Sequence, residues 1–204
     1  MKILSIDVGI INLGYVFAEI HSVYIKYRNL SLKTKYNQEN DFNINVIECN
    51  KVDITNIRHS SVKQCDCKLH HDRCIPDYID HFIQEHIHLF ESADMILIER
   101  QPPVGITNVQ DLLFKLFRNK VLLISPNSVH KYFKLSKDYD IRKIESEDIA
   151  KKYLSNFTNF NNNIRKHDIS DAMLMIIYYY KLNKIKNEIK NDLIDFEQFR
   201  YTLI

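Results

Sequence analysis

Asp7 closes a short apolar run that starts at Ile3, and Glu99 closes another that starts at Met95. Asp168 and Asp171 stand three residues apart in a helical pattern, so both project from one face. An ionised carboxylate in an apolar setting is costly unless it is paired or bound to a cation. Neither Asp7 nor Glu99 has an obvious local partner. Four converging carboxylates make a set of hard oxygen ligands suited to Mg²⁺ or Mn²⁺. Two such ions about 3.5–4 Å apart activate a water and stabilise the leaving oxygen of a phosphodiester. Each acid alone has a blander reading: a strand-end acid is usually a solvated cap, and an acidic pair at a helix start complements the helix dipole. The pattern taken jointly is stronger than any of its parts.

Two glycines sharpen that pattern. Asp7-Val8-Gly9 and Asn12-Leu13-Gly14 together read D-x-G-x-x-x-x-G. A glycine after a strand-end acid lets backbone or phosphate come close, although a plain hairpin turn would use it too. A second constellation, Cys65-Asp66-Cys67-Lys68-Leu69-His70-His71-Asp72-Arg73-Cys74, holds zinc-ligand residue types. Its spacing departs from common zinc fingers, so a free-thiol loop is the preferred reading and structural zinc the lesser one. Basic residues gather at Lys26, Arg28, Lys33 and Lys35, and again at Arg142-Lys143, Lys151-Lys152 and Arg165-Lys166. Such patches neutralise phosphates and make affinity salt-dependent. Arg100, beside Glu99, is a further candidate for a DNA contact. The group Lys181, Lys184, Lys186 and Lys190 reads as a solvated face.

The elements that must position these groups follow from hydrophobic period. Residues 2–7 read as a buried strand, and 13–20 and 23–28 as two further strands of a meander. Residues 31–45 read as loop, with one more short strand at Val46 and Ile47. Residues 50–75 form a polar, Cys/His-containing insertion. After Pro76, Ile79, Phe82, Ile83, Ile87 and Phe90 recur at helical spacing to about Ser92, with core packing favoured over a dimer face. A strand at 95–99 ends at Pro102-Pro103. Thr107 and Gln110 have capping-box spacing for a helix to about Arg118. Then come a strand at 121–124, a short helix to about Leu135, a loop at 137–140, a helix over 145–157, a linker at 159–163, a helix over 168–184 and one more helix in the tail. Tyr178-Tyr179-Tyr180 reads as core packing. Strands that first meander and then alternate with helices predict a mixed sheet covered by helices, an α/β fold.

The chain has 204 residues, enough for one domain with a real core and no disulfide staples. The formal net charge of +2 argues against a protein held to nucleic acid by bulk charge and leaves room for a locally basic face. With hydrophobic residues at 45% and charged residues at 26%, disorder is excluded. No apolar run reaches about 18 residues, so no membrane span is expected. An early carboxylate in a short N-terminal run argues against a signal peptide. Cysteines crowded into one region point to a reducing, intracellular setting.

The stretches Ile3-Leu4-Ser5-Ile6-Asp7-Val8-Gly9 with Gly14-Tyr15, then Ile96-Leu97-Ile98-Glu99-Arg100-Gln101-Pro102, then His167-Asp168-Ile169-Ser170-Asp171-Ala172, resemble the RuvC-type Holliday junction resolvases. Leu97 to Pro102, Thr107-Asn108-Val109-Gln110-Asp111 and Arg165-Lys166-His167-Asp168 are similar to the poxvirus branch in particular. The resemblance covers most of the chain and rests on the order and spacing of motifs that are individually weak. It implies a ribonuclease H-like fold, a five-stranded mixed sheet flanked by helices. It also implies a homodimer that cuts opposed strands of a four-way DNA junction with divalent metal, resolving concatemeric genomes in a host cytoplasm. Asp7, Glu99, Asp168 and Asp171 map onto the family's four acids, with Asp7 bridging two ions. Lys143 is the candidate for the family's lysine near the scissile phosphate, with Lys131 and Lys134 as rivals. The Cys/His insertion is not part of that core. Three other readings compete: a ribonuclease H acting on RNA–DNA hybrids, a noncatalytic zinc-bearing DNA-binding module, and an ATP-binding protein of the actin and hexokinase type. The last normally needs two such domains and has no use for Asp168-x-x-Asp171.

Overall fold

The computed structural model describes residues 1–21, 43–56 and 74–201, with side chains in the last stretch as far as Asn183. Five strands form one mixed sheet: β1 (Lys2–Asp7), β2 (Leu13–His21), β3 (Asn43–Val52), β4 (Met95–Glu99) and β5 (Val121–Ile124). Their order across the sheet is β3-β2-β1-β4-β5. The first three pair antiparallel, while β1 with β4 and β4 with β5 pair parallel. This is the expected five-stranded mixed architecture. The helices are α1 (Ile75–Glu85), α2 (Ile87–Ser92), α3 (Thr107–Leu116), α4 (Pro126–Phe133), α5 (Tyr139–Leu154), α6 (Thr158–Asn161) and α7 (Lys166–Tyr201).

Alternation along the strands divides the core into two layers. Leu4, Ile6, Tyr15, Phe17, Ile96 and Ile98 pack under α1, α2 and α3, against Ile79, Phe82, Phe90, Val109 and Leu113. Ile3, Val16, Ala18, Ile20 and Leu97 face the other way, against α4 to α7. The centre of that second layer is α7, in which every residue from Ala172 to Ile177 is buried. A helix apolar all round belongs inside a protein, and α7 lies across β1, β2 and β4.

Several expected boundaries shift. The third strand of the sheet is β3, most of which reads as loop in the sequence. It is an edge strand in which Asn45 and Ile47 are exposed while Ile44 and Val46 pack against the core. The strand expected at 23–28 lies outside the described residues, as do Cys65, Cys67, His70 and His71. The single helix expected after Pro76 is broken at His86, whose ring packs against Tyr15 and Phe82. The capping box at Thr107 does not form. The Gln110 side chain instead accepts a hydrogen bond from the Gln101 backbone N–H at 2.7 Å. The helix α5 starts at Tyr139 rather than Glu145, because the Asp138 carboxylate caps it by accepting from the N–H groups of Asp140 and Ile141. The linker at 159–163 holds the short α6. The helix α7 runs unbroken where two helices were expected. Phe82, Ile83 and Phe90 sit in the core, and Tyr178, Tyr179 and Tyr180 pack against it. Among the described residues no helix is long and apolar enough to cross a membrane.

Candidate active site

Strand parity alone puts the first two acids together. Counting along β1, Asp7 shares the face of Ile3, and along β4 Glu99 shares the face of Leu97, so both look toward α7. Ile6 pairs with Ile98 in the parallel ladder, which makes Asp7 and Glu99 the next residues in register. On the other side of β1, Asp7 pairs with Gly14 of β2. Gly14 is the seat of α7: a Cβ there would drive into the Asp168 carbonyl. The missing side chain lets the start of α7 settle on the sheet and brings its acids to the ends of β1 and β4. Gly9 lies just as tightly against the Asn12 carbonyl, closing the turn between β1 and β2. Both glycines of the D-x-G-x-x-x-x-G pattern thus serve close backbone approach.

Asp7, Glu99 and Asp171 line one cavity of about 10 Å³, walled by Pro126, Val129 and His130 from α4 and by Met175 from α7. That is roughly the room of one water or ion. Burial, and then the charges of Glu99, Asp171 and Asp168, hold the Asp7 carboxyl well above the usual carboxylate range. Its side-chain hydrogen bond with Glu99 raises it further. Burial also raises Glu99, while the hydrogen bonds from Asp7 and from Gln101 Nε2, the latter at 2.6 Å, work against the rise. Asp171 is pushed up to about 7 by burial and by Glu99 and Asp168, against the pull of the Ser146 hydroxyl and the Arg142 guanidinium. Asp168 is 6% exposed and turned differently. Its Oδ2 accepts from Arg165 Nε at 3.1 Å, and its Oδ1 lies 3.3 Å from His167 Nε2.

The three acids Asp7, Glu99 and Asp171 therefore meet at one cavity, with Asp168 beside them on the same helix. Lys143 lies over the Tyr139 ring, 3.8 Å from its centroid, where its charge acts on His167 and Glu147. Lys131 and Lys134 are exposed, at the end of α4 and at its left-handed cap. Arg165 as the partner of Asp168, Gln101 as the donor to Glu99, Ser146 and Arg142 were not assigned these roles from the sequence. Only Arg165 had a readable signal, its i,i+3 spacing from Asp168. Cys74 stands at the N-cap of α1.

Among the described residues no three His, Cys, Asp or Glu side chains are arranged to hold a metal ion. Asp7 and Glu99 are hydrogen-bonded to each other, and Asp168 faces Arg165. The donor chemistry nevertheless suits a hard divalent cation. All four groups are carboxylates, and Asp7 and Asp171 are raised by burial and then by the charges of the neighbouring carboxylates. A divalent cation replaces their protons and relieves that repulsion.

No protein-family model and no curated protein matches the sequence. Solved structures do match in fold. The fowlpox virus resolvase, in complex with its substrate Holliday junction DNA, superposes with a TM-score of 0.57 at 18% identity, over 89% of this chain and 99% of that one. The Thermus thermophilus RuvC structure gives 0.50 at 13% identity, over 90% and 97% of the two chains. This chain has the RuvC-type, ribonuclease H-like fold. In this chain Asp7 and Glu99 sit where the central strands β1 and β4 end, beneath α7.

Proposed function

We propose that the protein is a metal-dependent endonuclease that hydrolyses phosphodiester bonds in four-way and branched DNA junctions. One observation carries the reading: acids from three separate segments, β1, β4 and α7, converge on one cavity in a RuvC-type fold. Asp7, Glu99, Asp168 and Asp171 would hold Mg²⁺ or Mn²⁺, two ions per site. Bound divalent ions supply an activated water and neutralise charge at the phosphate.

The chain's own residues do the rest. Gln101 holds the Glu99 carboxylate in place, and is itself held through its backbone N–H by Gln110. Arg165 orients Asp168 from the rim and adds positive charge beside the position of a phosphate. Lys143, over the Tyr139 ring and with its charge felt at His167, is the candidate for stabilising charge that develops during cleavage. Paired cuts in opposed strands require two such sites, hence a homodimer. With the likeness to the poxvirus branch, the reading extends to resolution of concatemeric genomes in a host cytoplasm.

The test incubates purified protein with a labelled four-way junction and Mg²⁺ or Mn²⁺, beside a linear duplex and an RNA–DNA hybrid. Paired symmetrical nicks in the junction alone are expected. Cleavage confined to the hybrid would move the assignment to a ribonuclease H, and binding without any metal-dependent cleavage would end the enzymatic reading.

A further inference from the structure

A second and much wider depression, of about 600 Å³, opens on the far side of the α7 start from the acids. Its lining includes Lys51 of β3, Asn159 of α6, and Asn162, Ile164 and Arg165 in the connection to α7. It is joined to the carboxylate cavity by the register of the sheet. Gly14 pairs with Asp7 on one side and with Lys51 on the other, while the Asp168 backbone rests on it from above. Lys51 and Asp7 are thus two strands apart in one row, about 10 Å between backbones. Arg165 belongs to both places, holding Asp168 and lining the depression.

The two neighbouring sites have opposite chemistry. The cavity is walled by carboxylates, whereas no carboxylate lines the depression. Its polar groups are an ammonium, a guanidinium, a hydroxyl and several side-chain amides. Lys51 Nζ is steadied by Asn12 Oδ1 at 3.1 Å, and Asn12 belongs to the same turn that follows Asp7. An ammonium carries three donors, so that bond leaves others for a ligand. Asn159 Nδ2 is anchored on the Cys49 carbonyl at 3.4 Å, and an amide that gives its N–H₂ to the protein still offers its oxygen. Ile164 stands at the rim 99% exposed, an apolar surface between polar neighbours.

We propose that this depression is a nucleotide subsite, which takes the nucleotide next to the scissile bond on the cut strand. Lys51 and Arg165 contact its phosphate, the asparagine amides meet sugar and base edges, and Ile164 packs on the base or sugar. One continuous strand then passes from the carboxylates, over Gly14, into the depression. The proposal rests on the nuclease reading and adds a residue set to it.

The test uses the full chain and a labelled four-way junction, with binding measured without divalent metal and cleavage with it. Lys51→Met removes the charge and keeps the length of the side chain, and Asn162→Ala removes an exposed amide. Lys2→Ala, at the opposite end of β1, is the control for loss of one positive charge. Lys51→Met is expected to weaken junction binding about five- to tenfold and to lower the slope of log Kd against log salt by about one. Its kcat at saturating junction should fall much less than its affinity. Asn162→Ala is expected to weaken binding about threefold with an unchanged salt slope, since it neutralises no phosphate. A methylphosphonate at the phosphate flanking the cut should cost wild type affinity and cost Lys51→Met almost none. Binding by both variants equal to that of Lys2→Ala, in a wild type that cuts junctions, would overturn the subsite and leave the nuclease standing. A wild type that neither binds nor cuts junctions removes both. If Lys51→Met does not fold, Asn162→Ala and the methylphosphonate effect in wild type decide.

Discussion

The same strands end in different chemistry on the two faces of the sheet. Toward α1, α2 and α3, β1 presents Leu4 and Ile6, β2 presents Tyr15 and Phe17, and β4 presents Ile96 and Ile98. The Phe82 and Phe90 rings meet edge to face there at 5.7 Å. Toward α7, the alternate residues of β1 are Ile3, Ser5 and Asp7. The Ser5 hydroxyl is buried with no hydrogen-bond partner, and Asp7 faces two further carboxyls. One face is optimised for burial, while the other gathers buried carboxyls that raise one another's pKa beside an apolar helix. Strain of this kind collects at functional sites, where surrounding structure holds it in place. The apolar face is part of that surrounding structure.

The largest effect expected from this contrast separates activity from stability. Asp7→Asn should reduce metal-dependent junction cleavage about a thousandfold or more. It should leave junction binding intact, and the metal-free melting temperature should hold or rise, because a buried acid disappears. On the opposite face Phe82→Ala should cost about 3–5 kcal/mol of stability and leave kcat of the folded fraction near wild type. Cleavage assays and thermal melts on the two variants check both halves. A large drop in melting temperature for Asp7→Asn would mean that its carboxyl is a structural group.

That contrast was only partly legible in the sequence. Asp7 and Glu99 stood out because each ends an apolar run, and Asp168-x-x-Asp171 because helical spacing places both on one face. Strand parity then put the first pair on one side of the sheet. The edge strand β3 was not legible over most of its length, since Asn43, Asn45, Glu48 and Asn50 alternate with apolar residues that face only one layer. Lys51 therefore had no visible relation to the site. The partners Gln101, Ser146 and Arg142 meet the acids through tertiary contact, which local pattern does not encode. At Gln110 the tertiary contact overrode a local signal, since the side chain that spaced a capping box went to the Gln101 backbone. At Asp138 the sequence reads as loop, and the helix is extended back to Tyr139 by the cap that its carboxylate makes.

A smaller effect tests the joint between the faces. Leu13 and Gly14 are neighbours on β2 with opposite directions, one in the apolar layer and the other under α7. Gly14→Ala must lift the α7 start, because the new methyl would overlap backbone that no rotamer change moves. About 1–3 kcal/mol of stability should be lost, and cleavage should fall about a hundredfold as Asp168 and Asp171 shift. Leu13→Ala should cost about 2–5 kcal/mol with kcat near wild type. If Gly14→Ala instead lost stability while keeping full kcat, α7 would be shown to tolerate displacement, and Gly14 would be a packing residue only.

The smallest effect is in pH. In the unfolded chain Asp171 ionises at its ordinary 3.8, whereas in the folded protein it keeps its proton up to about 7. Between those values the unfolded state has already lost a proton that the native state still holds, so native stability falls as pH rises. The metal-free melting temperature should therefore decline across that window and level off above it, by about 2–4 °C for each kcal/mol of linkage. Asp171→Asn should remove its own share of the decline, the rest coming from Asp7 and Glu99, which burial raises as well. On the opposite face Tyr15 contributes nothing in this range, since burial and Glu48 raise its phenol further above an already high ordinary value, whereas His86, lowered by burial, adds a slope of the opposite sign below its ordinary 6.5. Mg²⁺ should reverse the trend: it competes with those protons, so the stabilisation it confers grows as the carboxyls ionise. Thermal melts from pH 4 to pH 9, with and without Mg²⁺, measure both slopes. A wild-type profile that coincides with that of Asp171→Asn would place the repulsion elsewhere in the molecule, whereas opposite slopes with and without the ion tie it to the carboxylate cavity beneath α7.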